Sequence, residues 1–329
     1  MRIVLIQANL LGDVIVTTPL LRHLRNSIPD ARVAIVMRPK NRAIRPLLGD
    51  LLDDVLDFDT RPLAMLKFAA RARAMRFDWL IDSSSDPLKS SPLLVRLIGA
   101  KKSVGLPNGH EGLYDIVVRE PPIGTLHMAD RYLTLTRAMG LPPPADPRIE
   151  LTLPPEAAAW AKEHWPLQAG RPSTLVNISG TGPVKFWGVE RFVALLRAAG
   201  AAHPELGFVI VGHERDKPAI DQIVQQTAAV SAPTTSDFIR FAAYVNRATY
   251  VITPDTSVIH LAAAWQKPTL GLYVARPPGD TWEPYRSPHV ILQSPTVSVA
   301  DISVEQGISG FERLLASVAS PQTSGSGAR

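Results

Sequence analysis

The chain has 329 residues, about twice the length of an average domain, so two domains of about 150 residues each are expected. Its composition, 46% hydrophobic and 20% charged, is typical of globular proteins and excludes a chain that is disordered throughout. The absence of Cys excludes a disulfide scaffold, a cysteine nucleophile, thiolate zinc sites and iron–sulfur ligation.

The positive charge lies in the first half of the chain. Residues 1–150 carry 21 basic and 16 acidic side chains, whereas residues 151–329 carry 14 of each, so the first half holds the whole formal charge of +5. This asymmetry predicts that the first half meets an anionic partner, unless it reflects only a generally basic composition. The apolar run at the N-terminus is too short for a signal peptide and no later run approaches 18 residues, so we expect a cytosolic protein without a membrane span.

Short apolar runs alternate with helical patterns in both halves, which predicts an α/β protein with two parallel sheets. The predicted strands are 3–7, 33–37, 79–82, 103–106, 174–178, 208–211, 250–252, 269–273 and 290–292. The predicted helices between them are 19–27, 91–98, 189–199, 217–226, 236–246 and 257–265. A stiff proline-rich stretch at 141–147 marks the domain boundary. We therefore expect domains at 1–155 and 170–312, a linker at 156–169 and a disordered tail at 318–329.

The densest basic stretch, residues 61–76, has the pattern of an amphipathic helix. Basic residues such as Lys67 and Arg71 alternate there with Leu, Met, Phe and Ala. The pattern is compatible with a helix lying on lipid headgroups and with a surface helix whose basic side is solvated.

Ligands bind outside the carboxyl ends of the strands in open parallel sheets, so the turns after the strands are the candidate sites. The turn after the first strand contains Gly12, which permits a close backbone turn, and Asp13. The start of the following helix favours an ionised carboxylate, which can accept a proton from a substrate hydroxyl. The alternative is an N-cap Asp that only satisfies backbone N–H groups.

A second candidate turn follows the strand 174–178 and contains Thr181 and Lys185 among small residues. Hydroxyl, ammonium and backbone N–H donors suit phosphate oxygens. The turn matches neither the phosphate-loop pattern nor the dinucleotide fingerprint, so an ordinary loop is the alternative.

The third turn, after the strand 250–252, contains Asp255, Thr256 and Ser257 at the start of a helix that continues to His260. The hydroxyls and backbone amides at such a helix start form an anion site. His260 follows a little more than one turn later and can face the same cleft, or it is an ordinary histidine on a helix face. The remaining histidines lack a recognisable metal-ligand spacing.

Together, and in this order, these turns resemble glycosyltransferase family 9, the ADP-heptose:lipopolysaccharide heptosyltransferases. The resemblance extends over about residues 1–295. Its carriers are Leu11-Gly12-Asp13, Thr18-Pro19-Leu20-Leu21, Leu24-Arg25, His127, Asp130-Arg131-Tyr132-Leu133, Met139-Gly140, Lys185-Phe186-Trp187, Asp255-Thr256-Ser257, His260-Leu261-Ala262-Ala263 and Lys267-Pro268-Thr269-Leu270-Gly271-Leu272-Tyr273. Ser257 stands where the family usually has Gly.

The resemblance implies the GT-B fold, in which two Rossmann-like domains with parallel sheets face each other across a cleft. It implies that the first domain binds the acceptor and the second binds the nucleotide sugar. Heptose would be transferred from ADP-heptose to a lipopolysaccharide inner-core acceptor with inversion, and without a metal or other cofactor. By this resemblance Asp13 is the base, Thr181 and Lys185 hold the diphosphate, and Glu214 reaches the nucleoside. The sugar and phosphates would be placed by Asp255, Thr256 and His260, and Ser257 is grouped with these residues as donor-binding.

On the acceptor side, the resemblance and the charge distribution together assign Gly12, Arg61, Lys67 and Arg71 to an anionic phosphorylated glycolipid. We therefore expect a cytoplasmic protein at the cytoplasmic face of the inner membrane, with no nucleic-acid partner. Two alternatives stay open: a family member with another donor or a protein acceptor, and a non-catalytic nucleotide-sugar binder that does not need Asp13. An NAD-dependent oxidoreductase is disfavoured by the missing fingerprint.

Overall fold

The computed structural model describes residues 1–84, 91–119, 126–276 and 281–319. These residues form two compact units. Unit 1 consists of the described residues within Met1–Pro155, Asp237–Ile239 and Pro277–Tyr285. Unit 2 consists of those within Glu156–Ser236, Arg240–Arg276 and Arg286–Arg329. Each unit contains one six-stranded sheet in which all neighbouring strands are parallel.

The sheet of unit 1 consists of β1 (Arg2–Ile6), β2 (Arg32–Met37), β3 (Asp54–Asp57), β4 (Trp79–Asp82), β5 (Lys102–Gly105) and β6 (Ile116–Val117). The strands lie in the order β3-β2-β1-β4-β5-β6. Strand β1 is central and apolar, and its residues 3–6 are completely buried. The chain order reverses between β1 and β4, and such a switch point is where open α/β sheets bind ligands.

Five α-helices belong to unit 1: α1 (Leu11–Val16), α2 (Thr18–Ser27), α3 (Pro62–Met75), α4 (Ser91–Ile98) and α5 (Met128–Thr134). Three 3₁₀ segments accompany them, at Pro39–Leu51, Glu111–Leu113 and Leu135–Met139. In α2, Pro19 occupies the first turn, where its missing N–H costs nothing, and Leu20 and Leu24 are buried one turn apart. The apolar face of this helix thus packs inward.

The sheet of unit 2 consists of β7 (Ser173–Asn177), β8 (Gly207–Val211), β9 (Val230–Ser231), β10 (Tyr250–Pro254), β11 (Thr269–Tyr273) and β12 (His289–Gln293). Its order, β12-β11-β10-β7-β8-β9, repeats the arrangement of unit 1. The switch point here lies between β7 and β10. Helices α6 (Pro155–His164), α7 (Val189–Ala202), α8 (Lys217–Gln226), α9 (Phe238–Arg247), α10 (Ser257–Ala264) and α11 (Val304–Ala319) follow in chain order.

Trp187 anchors the core of unit 2. It is fully buried, its indole N–H donates to the carbonyl oxygen of Ile302 at 2.9 Å, and its ring lies edge-on to Phe192. Helix α11 approaches this ring at Gly307, where a Cβ atom would come within 2.5 Å of the indole. Glycine is therefore required at that contact. The indole thereby fixes the loop that carries the candidate turn at residues 179–185.

The predicted α/β class with two parallel sheets is confirmed, and each of the nine predicted strands is present with its bounds shifted by at most two residues. The segment expected to be a linker at 156–169 instead contains most of α6. Trp160 of this helix packs on Tyr244 at 5.0 Å between ring centroids, and this contact helps to stabilise a helix that the sequence pattern did not predict. The first two residues of the expected tail, 318 and 319, belong to α11, and residues 320–329 lie outside the described residues. No helix among the described residues is both long and apolar enough to span a membrane.

Candidate functional site

Lys185 is positioned by the turn that follows β7. A short 3₁₀ segment, Pro183–Lys185, brings its side chain back over Gly180. A Cβ atom at position 180 would lie 2.4 Å from the Cβ of Lys185, so only glycine allows this approach. Gly180 therefore allows the turn to place the lysine.

The ammonium group of Lys185 is bound to Asp255 in the turn after β10. Its Nζ donates to the main-chain oxygen of Asp255 at 2.7 Å and to the carboxylate oxygen Oδ2 at 2.8 Å. A guanidinium N–H of Arg276, which follows β11, donates to the same Oδ2. The three side chains are only 13–22% exposed. The turn motifs of the sequence indicate Lys185 and Asp255, whereas Arg276 lies in no such motif.

The two cations determine the charge state of Asp255. Burial by itself would raise the pKa of this carboxyl, but the charges of Arg276 and Lys185 outweigh it and hold the pKa below its ordinary value. Asp255 is therefore ionised at neutral pH, and the cluster contains one anion and two cations.

The cluster lies at the switch point of the second sheet. Strands β7 and β10 are neighbours there, and the side-chain amide of Asn177 at the end of β7 donates to the hydroxyl of Thr253 in β10 at 2.9 Å. This bond fixes the two turns that carry Lys185 and Asp255. The position is the one at which parallel sheets bind ligands.

Helix α10 begins beside Asp255. Thr256 is its N-cap and accepts the backbone N–H of Val258 at 3.3 Å, and Ser257 is its first residue. Both are partly exposed, so the first turn of the helix is accessible. His260 is only 5% exposed, and its contact with the donor stays a prediction.

The turn after β8 lies beside the turn that carries Lys185. Ser179 donates to Asp216 at 2.5 Å, and Arg215 donates to the carbonyl oxygen of Gly180 at 2.7 Å. These bonds join the turn after β8 to the turn after β7 that carries Lys185, called here the lysine turn. Thr181 in the lysine turn is exposed.

A cleft of about 370 Å³ opens beside Glu214, where strands β8 and β9 end. Glu214 accepts a hydrogen bond from Thr234, which also lines the cleft. The other lining residues are Lys217, Ile220, Ser231, Ala232 and Pro233. Glu214 is thus one wall of a concave site with both polar and apolar lining.

Asp13 lies in unit 1, in the turn after β1. It is the third residue of α1, not the N-cap, and its Oδ2 accepts the backbone N–H of Leu10 at 2.9 Å. Asp13 is partly exposed, and Gly12 precedes it in the first turn of the helix. The carboxylate therefore lies near the switch point of the first sheet.

Buried hydrogen bonds fix the strand ends beside Asp13. Gln7, directly after β1, donates to the Ser83 hydroxyl at 2.9 Å, and Ser83 donates to the carbonyl oxygen of Ile6. Next to them the buried carboxylate of Asp82 accepts from Tyr114 at 2.8 Å. Desolvation raises the pKa of Asp82 in spite of these bonds. This network is not apparent from the sequence, because its members are far apart in the chain.

The basic residues assigned to the acceptor side lie on or beside α3. Arg61 precedes the helix and pairs with Asp59, Arg71 lies 3.6 Å from Asp54, and Lys67 is exposed. The same helix exposes two large apolar side chains, Leu63 at 65% and Leu66 at 67%. The predicted helix is confirmed, but its basic and apolar residues are not separated on two sides, because its outward face carries both.

No group of three or more His, Asp or Glu side chains within residues 1–84, 91–119, 126–276 and 281–319 is arranged to hold a metal ion.

Both the sequence and the fold of this chain are similar to those of known proteins. Residues 65–306 match the family described as glycosyltransferase family 9 (heptosyltransferase). The chain is similar to lipopolysaccharide heptosyltransferase 3 of Escherichia coli, with 23% identity over 80% of each chain. Its fold resembles that of a family 9 glycosyl transferase from Veillonella parvula, with a TM-score of 0.83 and 23% identity over 96% of this chain and 97% of the other. It also resembles an Escherichia coli heptosyltransferase solved with ADP, with a TM-score of 0.75 and 17% identity over 95% and 100%.

Proposed function

Because this chain belongs to glycosyltransferase family 9, we propose that it transfers heptose from ADP-heptose to a lipopolysaccharide inner-core acceptor, inverting the anomeric carbon without a metal ion. The observation that carries the proposal is the ion pair of Lys185 and Asp255 beside the first turn of α10, at a switch point. A cation and the N–H groups of a helix start together suit a diphosphate.

The cleft beside Glu214 is the proposed nucleoside site. Its volume of about 370 Å³ lies within the range of small-molecule pockets. The Glu214 carboxylate can accept hydrogen bonds from ribose hydroxyls, and the apolar lining suits a base. ADP as the nucleotide is supported by the similarity to the Escherichia coli heptosyltransferase solved with ADP.

In the proposed reaction, an acceptor hydroxyl oxygen forms a bond to the anomeric carbon of the heptose. The bond from that carbon to the β-phosphate oxygen breaks, and its electron pair leaves with ADP. The hydroxyl proton moves to the carboxylate of Asp13, which acts as the general base. Lys185 and the start of α10 stabilise the charge that develops on the diphosphate. These groups thus stabilise the leaving diphosphate in place of a divalent cation.

The most direct test is a screen of donors with the full chain. ADP-heptose, UDP-sugars and GDP-sugars are titrated calorimetrically and then offered for transfer in the presence of EDTA. We expect ADP-heptose to bind most tightly and to be turned over with EDTA present. Preference for a UDP- or GDP-sugar would contradict the assignment of the donor, and loss of turnover that magnesium restores would contradict the metal-free reaction.

Lys185→Ala is expected to weaken ADP binding by about 10- to 100-fold, because a charge-assisted hydrogen bond contributes about 1.5–3 kcal/mol. Calorimetric titration measures the loss. Lys162→Ala, which removes the same type of side chain from an exposed position on α6, is the control and is expected to leave the affinity unchanged. If the Lys185 variant binds ADP as tightly as the wild type, Lys185 does not belong to the diphosphate site.

The outward face of α3 is the proposed contact with the anionic glycolipid and the membrane surface that carries it. Lys67 and Arg71 attract phosphate groups, while Leu63 and Leu66 can insert between lipid headgroups. The exposure of both leucines on a basic helix supports this proposal.

The double variant Leu63→Gln/Leu66→Gln is expected to lower affinity for phosphatidylglycerol vesicles at least about tenfold. Burial of one leucine side chain in the headgroup layer contributes roughly 1.5–3 kcal/mol, and the variant loses this contribution at both positions. Co-sedimentation measures the bound fraction, and phosphatidylcholine vesicles test the dependence on charge. Leu93→Gln on α4, another exposed leucine of unit 1, is the matched control. Unchanged sedimentation of the double variant would exclude α3 as the contact.

A further inference from the structure

Arg276 is a second cation in the Lys185–Asp255 cluster. Its guanidinium donates to the Oδ2 atom of Asp255, the same oxygen that Lys185 contacts at 2.8 Å. The two cationic groups are thus at most two hydrogen-bond lengths apart. An anion with several oxygens can reach both of them, as a diphosphate can.

The position of Arg276 is fixed by the sheet. It follows β11, the strand beside β10, and its guanidinium lies over the ring of Tyr273 at 4.6 Å from the ring centroid. The backbone N–H of Ala275 donates to Thr296 at 2.6 Å, which holds the chain just before the arginine. With a side chain only 16% exposed, Arg276 has little freedom to move away from the cluster.

Asp255 keeps both cations at this place. Two cations this close repel each other, and the effect is strong where water is largely excluded. The shared carboxylate oxygen offsets that repulsion and orients both groups. A guanidinium can donate several hydrogen bonds in a fixed planar arrangement, so its bond to Asp255 is compatible with binding a further oxygen ligand.

From this geometry we infer that Arg276 binds the diphosphate of the donor together with Lys185, and that Asp255 is the residue that positions the two cations. The inference rests on the proposed function, in which the donor is a nucleoside diphosphate sugar. It adds to the site a residue that neither the turn motifs nor the resemblance to the family identified. It also specifies the ligand chemistry, because two adjacent cations favour a diphosphate over a monophosphate.

The test compares ligands that differ only in phosphate content. Wild type, Arg276→Met and Arg276→Lys are titrated with ADP, AMP, adenosine and inorganic pyrophosphate. We expect Arg276→Met to lose about 10- to 100-fold in affinity for ADP and pyrophosphate, less for AMP, and less than twofold for adenosine. Arg276→Lys keeps the charge, so it is expected to recover part of the loss even though the planar fork is gone.

Arg197→Met, an exposed arginine on α7 of the same unit, is the control for general effects of losing an arginine. Equal losses for adenosine and ADP, or an Arg276→Lys variant as weak as Arg276→Met, would show a structural role and overturn the inference. If Arg276→Met does not fold, the comparison of the wild type with Arg276→Lys tests the inference. A preference of Arg276→Lys for ADP over adenosine that equals the wild-type preference overturns the inference. A smaller preference supports it.

A parallel titration of the same three proteins with UDP separates this inference from the proposed function. Tighter binding of UDP than ADP, with the same dependence on Arg276, would support the role of Arg276 and contradict ADP as the nucleotide. Tight binding of ADP that does not change in Arg276→Met would support the proposed donor and overturn the role of Arg276.

Discussion

Asp13→Asn is expected to lower the rate of heptose transfer by about 100- to 10,000-fold, the usual contribution of a general base. The amide of asparagine cannot take up the proton that the acceptor hydroxyl loses. Asp13 is not among the groups proposed to bind the diphosphate, so ADP affinity is expected to stay within about twofold. Rapid-quench measurement of ADP release in a single turnover reports the rate of transfer.

Asp13→Asn is expected to leave the fold unchanged, so a lower rate of transfer can be attributed to the loss of the base. The carboxylate of Asp13 accepts the backbone N–H of Leu10, and the oxygen of an asparagine side chain can accept the same bond. Asp30→Asn, at an exposed position of the same unit, is the control and is expected to retain wild-type turnover. Transfer by Asp13→Asn within a few-fold of the wild type would mean that another group accepts the proton.

Hydrophobic periodicity predicted the central strands because parallel strands that are covered on both faces are nearly continuous apolar runs. The three strands that were missed, β3, β6 and β9, lie at sheet edges and have only two to four residues. Strand β3 begins and ends with Asp, so its sequence resembles a turn. These segments become strands only because a longer neighbour offers a row of hydrogen-bonding groups, and a pattern within one segment does not show this.

Helix α6 was not predicted from the sequence for a related reason. Helix α6 is rich in Ala and has few large apolar residues, so it lacks a clear apolar stripe. Its packing includes the contact of Trp160 with Tyr244, which lies more than 80 residues later in the chain. The sequence can suggest such a helix by its Ala content alone. Its packing partner becomes visible only with the fold.

The turn motifs predicted Lys185 and Asp255 separately, each with an ordinary loop or helix cap as the alternative. The structure brings them together because β7 and β10 are adjacent although 70 residues separate the two side chains. Arg276 carried no motif. The signal that could have found it is its position just past a predicted strand, since the carboxyl ends of neighbouring parallel strands meet at one edge of the sheet. The sequence order of strands alone does not say which of them are neighbours.

The largest effect on stability is expected for Asp255→Asn. Asp255 is 13% exposed and is the shared partner of Lys185 and Arg276, so its neutralisation leaves two buried cations facing each other. Removing one partner of a buried ion pair costs about 3–5 kcal/mol, and the residual exposure of the cluster reduces this to about 3 kcal/mol. Urea unfolding of the full chain measures the difference in the free energy of unfolding.

Asp221→Asn is the matched control. Asp221 pairs with Lys217 one turn away on the surface of α8, where the two side chains are 48% and 56% exposed. Exposed pairs of this kind contribute about 0.3–0.5 kcal/mol, so this variant is expected to unfold nearly like the wild type. Similar losses in both variants would show that Asp255 does not act as the centre of a buried charge cluster.

The pH dependence gives an independent check with a definite sign. The charges of Arg276 and Lys185, acting against desolvation, hold the pKa of Asp255 below its ordinary value in the folded protein. The stabilisation is therefore complete above the pKa of the unfolded chain, about 4, and is lost as the pH falls through the lower folded value. The free-energy difference between wild type and Asp255→Asn should stay constant from about pH 7 to 5 and shrink below about pH 4. A difference that persists unchanged at about pH 2.5 would show that the lost stability comes from the shape of the side chain and not from its charge.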